Sequence, residues 1–317
     1  MRKPDSLLTQ KSIFEKYLHC QTHHLSAFHF SSIFLWQDFF DFEFEIVQEA
    51  LCVYAHQKDG CFLYLPPLTK SWQHPVVEHC FLKMNKINPR VARIENIEQG
   101  QLNELPLTPS LIKRGKGEFK IYPKTQEYVY RKEDLVDLKG HAYKSQRHDI
   151  HHFQSQYQAL FRPYEPGDYK ACLDLYERWA QNRHDKHDDP IYRSMLEENR
   201  LVHELALTYR EALGLVGYVV ETNQKIIAYS FGYSLNSLTF CVLLEVADVS
   251  MGGLNAFIFN RFCADEILRP YTLINTMDDF GLPYVAASKQ AYHPVQKPVS
   301  YTIVDPSITL GIDPERS

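Results

Sequence analysis

One stretch restricts the fold more than any other. Three consecutive strand-like segments, Gly214 to Glu221, Lys225 to Tyr233 and Thr239 to Ala247, are followed by a helical segment, Asn255 to Leu268, and one further strand, Thr272 to Met277. The strands are apolar and rich in aromatic and β-branched residues, and Asn223-Gln224 supplies a turn between the first two. The interval between the third and fourth strands holds a helix, so the fourth strand is expected to lie parallel to the third. Carboxylates fall at the ends of these two strands, Glu245 on one and Asp278 and Asp279 on the other, with Lys289 and Tyr292 just beyond. Acidic side chains at the ends of neighbouring parallel strands, backed by a cation and a phenol, are the groups an acyl-transfer cleft needs.

The chain has 317 residues, 44% hydrophobic and 23% charged, enough for two compact domains with a core each. No window approaches eighteen uninterrupted apolar residues, and Met1 to Asp5 lacks the apolar core of a signal peptide, so the cytoplasm is the expected location. Seven cysteines without a CxxC pair suggest neither a disulfide framework nor a zinc site, and no metal is expected. The formal charge of −5 argues against general coating of nucleic acid while leaving room for a local basic patch.

The first half follows a similar order. It reads as an aromatic-rich helical segment at Leu25 to Phe40, then strands at Phe44 to Ala55 and Cys61 to Leu65 around Lys58-Asp59-Gly60. A helix at Val76 to Ile87 and strands at Val91 to Ile97 and Glu127 to Tyr130 follow. The second half opens with a strand at Ala159 to Tyr164 and a helix at Asp168 to Gln181 with Asp168 as N-cap. A further helix is expected at Ile191 to Ala206, a short one at Leu282 to Ala291 and a last strand at Ser300 to Val304. The expected domains are residues 1–157 and 158–317.

A helix from Leu138 to Tyr157 links the halves. At 100° per residue Ala142, Ile150, Phe153 and Tyr157 share one arc, with Lys144, Arg147, His148 and His151 opposite. The basic side is either a solvated charged face or a surface for phosphate, to which Lys113 to Gly117 would add a basic loop. Other clusters say less: His184 to Asp189 matches no metal-site spacing, and no GxSxG, HExxH or P-loop pattern occurs.

Several ordered blocks carry a resemblance. Ser26-Ala27-Phe28 to Trp36, Tyr64 to Leu68, Glu127 to Tyr130, Leu138 to Tyr143, Gln146-Arg147-His148 and the C-terminal stretches above are similar to landmarks of the phosphatidylglycerol lysyltransferase C-terminal-like family, domain of unknown function 2156. The resemblance implies an α/β (α+β) chain of two tandem acetyltransferase-like (GNAT) domains. Each would be a mixed, mostly antiparallel sheet with splayed central parallel strands flanked by helices. It also implies kinship with Fem-type aminoacyltransferases, which take an amino acid from aminoacyl-tRNA and pass it to a lipid or peptide acceptor.

On that basis Glu245, Asp279, Lys289 and Tyr292 are the candidate catalytic residues. Asn275, Asp278, Arg147, Lys144 and Asn255 are candidates for substrate binding. The segment Val249 to Ala256 does not fit the [Q/R]xxGx[G/A] loop that holds the CoA pyrophosphate, so acetyl-CoA is disfavoured and aminoacyl-tRNA is the expected donor. Bland readings stand beside these. Asp279 could cap the next helix, with Pro283 at its first position, and Glu245 could form a structural bridge with Lys289. Active relatives resemble Glu-Lys-Ala at Glu245-Val246-Ala247, an acidic residue at Met277 and Leu-Arg at Val285-Ala286; this chain lacks those charges. Either another donor or acceptor, or a noncatalytic binding protein that retains the cleft, follows from the loss.

Overall fold

The computed structural model describes residues 4–102, 119–186 and 190–304. In chain order the helices are α1 (Pro4–Leu8), α2 (Lys11–Leu18), α3 (Phe30–Phe34), α4 (His74–Ile87), α5 (Gln99–Leu102), α6 (Lys132–Asp137), α7 (Lys144–Gln156), α8 (Tyr169–Lys186), α9 (Pro190–Leu213), α10 (Leu254–Ala264) and α11 (Pro283–Gln290). The strands are β1 (Asp41–Val47), β2 (Ala50–Gln57), β3 (Gly60–Leu63), β4 (Arg93–Glu98), β5 (Lys120–Gln126), β6 (Val129–Arg131), β7 (Leu160–Pro163), β8 (Val216–Thr222), β9 (Lys225–Ser234), β10 (Thr239–Ala247), β11 (Leu273–Asn275) and β12 (Val299–Val304).

The chain divides into two units. The first holds residues 1–128, 278–287 and 297–317, the second 129–277 and 288–296. The sheet of the first unit has the order β1-β2-β3-β4-β12-β5, that of the second β6-β11-β10-β9-β8-β7. In each, an antiparallel meander crosses through a helix to a parallel strand: β3 to β4 through α4, and β10 to β11 through α10. Both are mixed, mostly antiparallel sheets flanked by helices, the acetyltransferase-like arrangement. Division at residue 157 does not follow the sheets, because β6 and α7 fall in the second unit and β12 in the first.

Several local expectations change. Within residues 25–40 only Phe30–Phe34 is helical. The amides of Leu25 and Ser26 are taken by the carboxylates of Glu98 and Glu127 instead of by helix carbonyls, and Ser26 Oγ donates to Glu127 Oε1 at 2.6 Å. The expected strand 44–55 is a hairpin, since Gln48 and Glu49 both adopt positive φ, 46° and 66°, the two-residue turn that suits strand twist. Neither residue is a glycine or asparagine, so the turn carries no strong local signal. The expected helix from residue 138 starts at Lys144, because Leu138 (φ 48°) and Gly140 (φ 84°) are left-handed. Asp168 closes a short 3₁₀ turn with Glu165 before α8 and holds Arg162 at 2.7 Å and 2.9 Å. The Lys113–Gly117 loop and the side chains of His184 to Asp189 lie outside the described residues.

The core of the second unit packs α7 and α10 on the sheet through Phe153, Leu254, Phe257 and Ile258 against Val220, Ile227 and Ala228. Two glycines stand at this contact. Gly253 (φ 83°) begins α10, and a Cβ there would stand 2.0 Å from the Asp149 carbonyl of α7. His152 of α7 lies beside Gly252. Close helix approach thus requires glycine at position 253, whereas a side chain at position 252 would make only ordinary contact with His152.

Candidate functional site

The site begins with a parting of strands. β10 and β11 pair in parallel only from Thr239–Leu273 to Cys241–Asn275, whereas β10 continues to Ala247. Beyond Asn275 the chain turns away. Its Oδ1 accepts the Met277 amide at 2.7 Å and Met277 takes φ 62°, so the backbone leaves the strand direction. That turn removes the Thr276 and Met277 carbonyls from the ladder. Lys289 Nζ donates to both, at 2.5 Å and 3.3 Å. Asn275 and Lys289, two of the predicted site residues, therefore shape the opening.

On the other strand a bulge between Val242 and Leu244 shifts the register, which reverses the faces of the residues after it and puts Glu245 opposite Ser230 of β9. Part of Glu245 reaches solvent, but its Oε2 is sealed and has no hydrogen-bond partner, and the same holds for Ser230 Oγ. Burial pushes the Glu245 carboxyl up to about 8, and the nearby Ser230 hydroxyl offsets this only in part without forming a well-aligned bond. The carboxyl therefore exchanges its proton near neutral pH, the condition a general base or acid requires.

Tyr292 and Cys263 surround this group electrostatically. Burial, then the Glu245 charge, raises both the Tyr292 phenol and the Cys263 thiol. The Tyr292 ring meets Phe259 edge-on at 5.1 Å and Tyr130 at 6.5 Å. Its segment is pinned through main-chain carbonyls: Tyr130 OH donates to Lys289 O (2.9 Å), Gln146 Nε2 to Ala291 O (2.8 Å) and Tyr143 OH to Tyr292 O (3.2 Å). Gln146 Oε1 is buried and unpartnered.

The remaining candidates separate from this group. Arg147 donates to the carbonyls of Leu138 and Gly140, closing the turn before α7. Lys144 and Asn255 are exposed at the starts of α7 and α10. Asp278 and Asp279 belong to the first unit. There Asp279 Oδ2 accepts Tyr128 OH at 2.5 Å and Oδ1 accepts the Gly281 amide at 2.9 Å, a capped turn before Pro283. Asp278, with Glu95 and Glu127, adds to the burial that raises the Tyr64 phenol. Ser230, Cys263 and Gln146 were not among the sequence candidates. A lone serine in the apolar run Ile226 to Tyr233 is the signal that marks Ser230, but its pairing with Glu245 depends on a bulge the sequence does not announce.

The family model described as "Phosphatidylglycerol lysyltransferase, C-terminal" matches residues 21–303. The chain belongs to this family. No curated protein sequence matches it significantly. Among solved structures, a conserved protein of unknown function from Bacteroides thetaiotaomicron is 23% identical, covers 93% of this chain and 96% of its own, and superposes with a TM-score of 0.81. L-PGS from Bacillus licheniformis is similar at 13% identity, 94% and 93% coverage and a TM-score of 0.60. FemX is similar at 6% identity, 95% and 96% coverage and 0.60. This phosphatidylglycerol lysyltransferase C-terminal fold thus extends over both units. Among the described residues, no helix is long and apolar enough to cross a membrane, and no cluster of three or more His, Cys, Asp or Glu side chains is placed to hold a metal ion.

Proposed function

We propose that this chain is an aminoacyltransferase that takes an amino acid from aminoacyl-tRNA and passes it to a lipid, peptide or small-molecule acceptor. One observation carries the reading: Glu245, sealed at Oε2 and unpartnered, stands opposite Ser230 where β10 and β11 part. An aminoacyl ester is already activated, so the protein needs chiefly to hold it, take a proton from the attacking nucleophile and stabilise charge. Glu245 serves as the base or as partner of the donor's α-ammonium group, and Tyr292 supplies a phenol beside it. Lys289, fixed on the Thr276 and Met277 carbonyls, keeps the cleft apart and brings a positive charge to its rim.

One feature supports a donor other than acetyl-CoA. The Gly252-Gly253 turn departs from the pyrophosphate-loop pattern, and Gly253 serves the close approach to the Asp149 carbonyl of α7. Where the resemblance implies an acidic residue and two cations in active relatives, this chain has Met277, Val246 and Ala286. Lysine and phosphatidylglycerol are therefore not the proposed pair.

Noncatalytic ligand binding is favoured by one observation: Lys289, Arg147 and Asp279 are engaged in internal hydrogen bonds. Incubation of the purified chain with a pool of charged tRNAs separates the two. Transfer predicts accelerated deacylation or labelling of an acceptor for some amino acids, lost in Glu245→Gln. Binding without turnover at every amino acid would overturn the enzyme reading.

A further inference from the structure

The first unit brings two nucleophilic side chains into contact. Cys52 lies within β2 and Cys80 within α4, 28 positions apart in sequence, and their Sγ atoms are 3.5 Å apart. Both are fully shielded from solvent. The surroundings are not purely apolar. Lys83, one turn further along α4, places its ammonium 4.2 Å from the centre of the Tyr54 ring, and the buried Tyr54 hydroxyl, without a well-aligned hydrogen bond, favours the thiolate of Cys80 beside it. Lys83 also pairs with Glu43 at 2.6 Å and Glu45 at 2.7 Å. Either thiol can donate to the other; with Cys52 donating, the shared proton lowers Cys80 and raises Cys52. The Lys83 charge favours the thiolate at both, against the opposing charge of Glu45.

We propose that Cys52 and Cys80 are a reversible oxidation site at which a small hydroperoxide closes a disulfide between β2 and α4. Bond formation needs the sulfurs to approach by ~1.5 Å from their present contact. One thiolate attacks the O–O bond, becomes a sulfenic acid, and a first water leaves once the released oxygen is protonated. The second sulfur then displaces the sulfenic oxygen, which leaves as a second water. In balance, two thiols and one hydrogen peroxide give one disulfide and two waters, the thiols being oxidised and the peroxide reduced. Burial selects a small oxidant, and the packed neighbours keep the first sulfenic acid within reach of its partner sulfur.

The test treats the full-length chain with increasing hydrogen peroxide, blocks remaining thiols and maps peptides without reduction. The expected product is a peptide pair joined through Cys52 and Cys80, formed before higher oxidation of either residue and reopened by dithiothreitol. Its formation should raise Tm reversibly, because the cross-link restricts the unfolded chain. Cys61→Ser should leave the link intact, and Cys52→Ser should abolish it. If Cys52→Ser does not fold, the wild-type map decides alone. Recovery of both thiols unmodified when the partly exposed Cys20 is already oxidised would overturn the proposal, as would a link from either residue to another cysteine.

Discussion

Glu245 and Ser230 face each other across the β10–β9 ladder, and neither Glu245 Oε2 nor Ser230 Oγ has a hydrogen-bond partner. Each buried orphan costs about 1–3 kcal/mol relative to a satisfied group. The pair is therefore maintained against stability, as expected where a ligand brings the missing donors. Glu245→Gln keeps the shape and removes the proton acceptor. It should reduce any aminoacyl transfer by about 100-fold or more, in the range of general acid–base contributions. Ser230→Ala should lower transfer less and leave Tm unchanged or higher. Single-turnover assays with the reactive charged tRNA give both comparisons.

Stability should depend on pH with a recognisable sign. The Glu245 carboxyl lies at about 8 in the fold against 4.5 unperturbed, so between these values the folded chain holds a proton that the unfolded chain releases. Stability from this group is lost as pH rises from 4.5 to 8 and is level above. Buried His203 and His29, each held at about 3 against 6.5 chiefly by desolvation, act oppositely: the unfolded chain takes up their protons first, and stability is lost as pH falls from 6.5 to 3. Glu245→Gln should remove the fall in stability between pH 4.5 and 8 and leave the histidine-linked loss at lower pH in place. Thermal unfolding of both proteins from about pH 5 to about pH 9 isolates the term.

Glycine substitutions should separate strain from collision. Gly253→Ala meets both a left-handed φ and the Asp149 carbonyl, whereas Gly140→Ala meets the left-handed φ with open space around it. The first should cost about 3 kcal/mol or more and the second about 1 kcal/mol. Urea midpoints compare them directly.

Lys289→Met tests the parted strands. Loss of the ammonium leaves the Thr276 and Met277 carbonyls without that donor, and the opening should relax. Transfer is expected to fall together with Tm. Lys289→Arg, which can still donate to both carbonyls, should restore more of the stability than of the transfer.

The strand and helix order after residue 214 was legible to within a few residues, because long apolar strands and an obvious crossover leave few alternatives. β5 was not. Its residues, Lys120 to Gln126, include Pro123 and are mostly solvent-facing, the composition of an edge strand with no apolar alternation to reveal it. Nor was the membership of β6 and β12, since pairing between distant segments leaves no local trace. At the site, Glu245 stood out because a carboxylate in an apolar strand is costly. The positions of Asn275 and Lys289 at the parting were foreseeable, but their bonds to backbone groups were not: side-chain type alone does not tell whether a cation will find a carboxylate or a carbonyl.

The strand exchange bears on how the protein is made. β12 (Val299–Val304) lies between β4 and β5, so the first sheet cannot close until residue 304 has left the ribosome, roughly 200 residues after β4. Sequential folding of an N-terminal domain, common in multidomain proteins, is unavailable here. For the same reason a gene split at residue 157 would yield two fragments that each lack a strand of their own sheet, and only their joint expression could rebuild it.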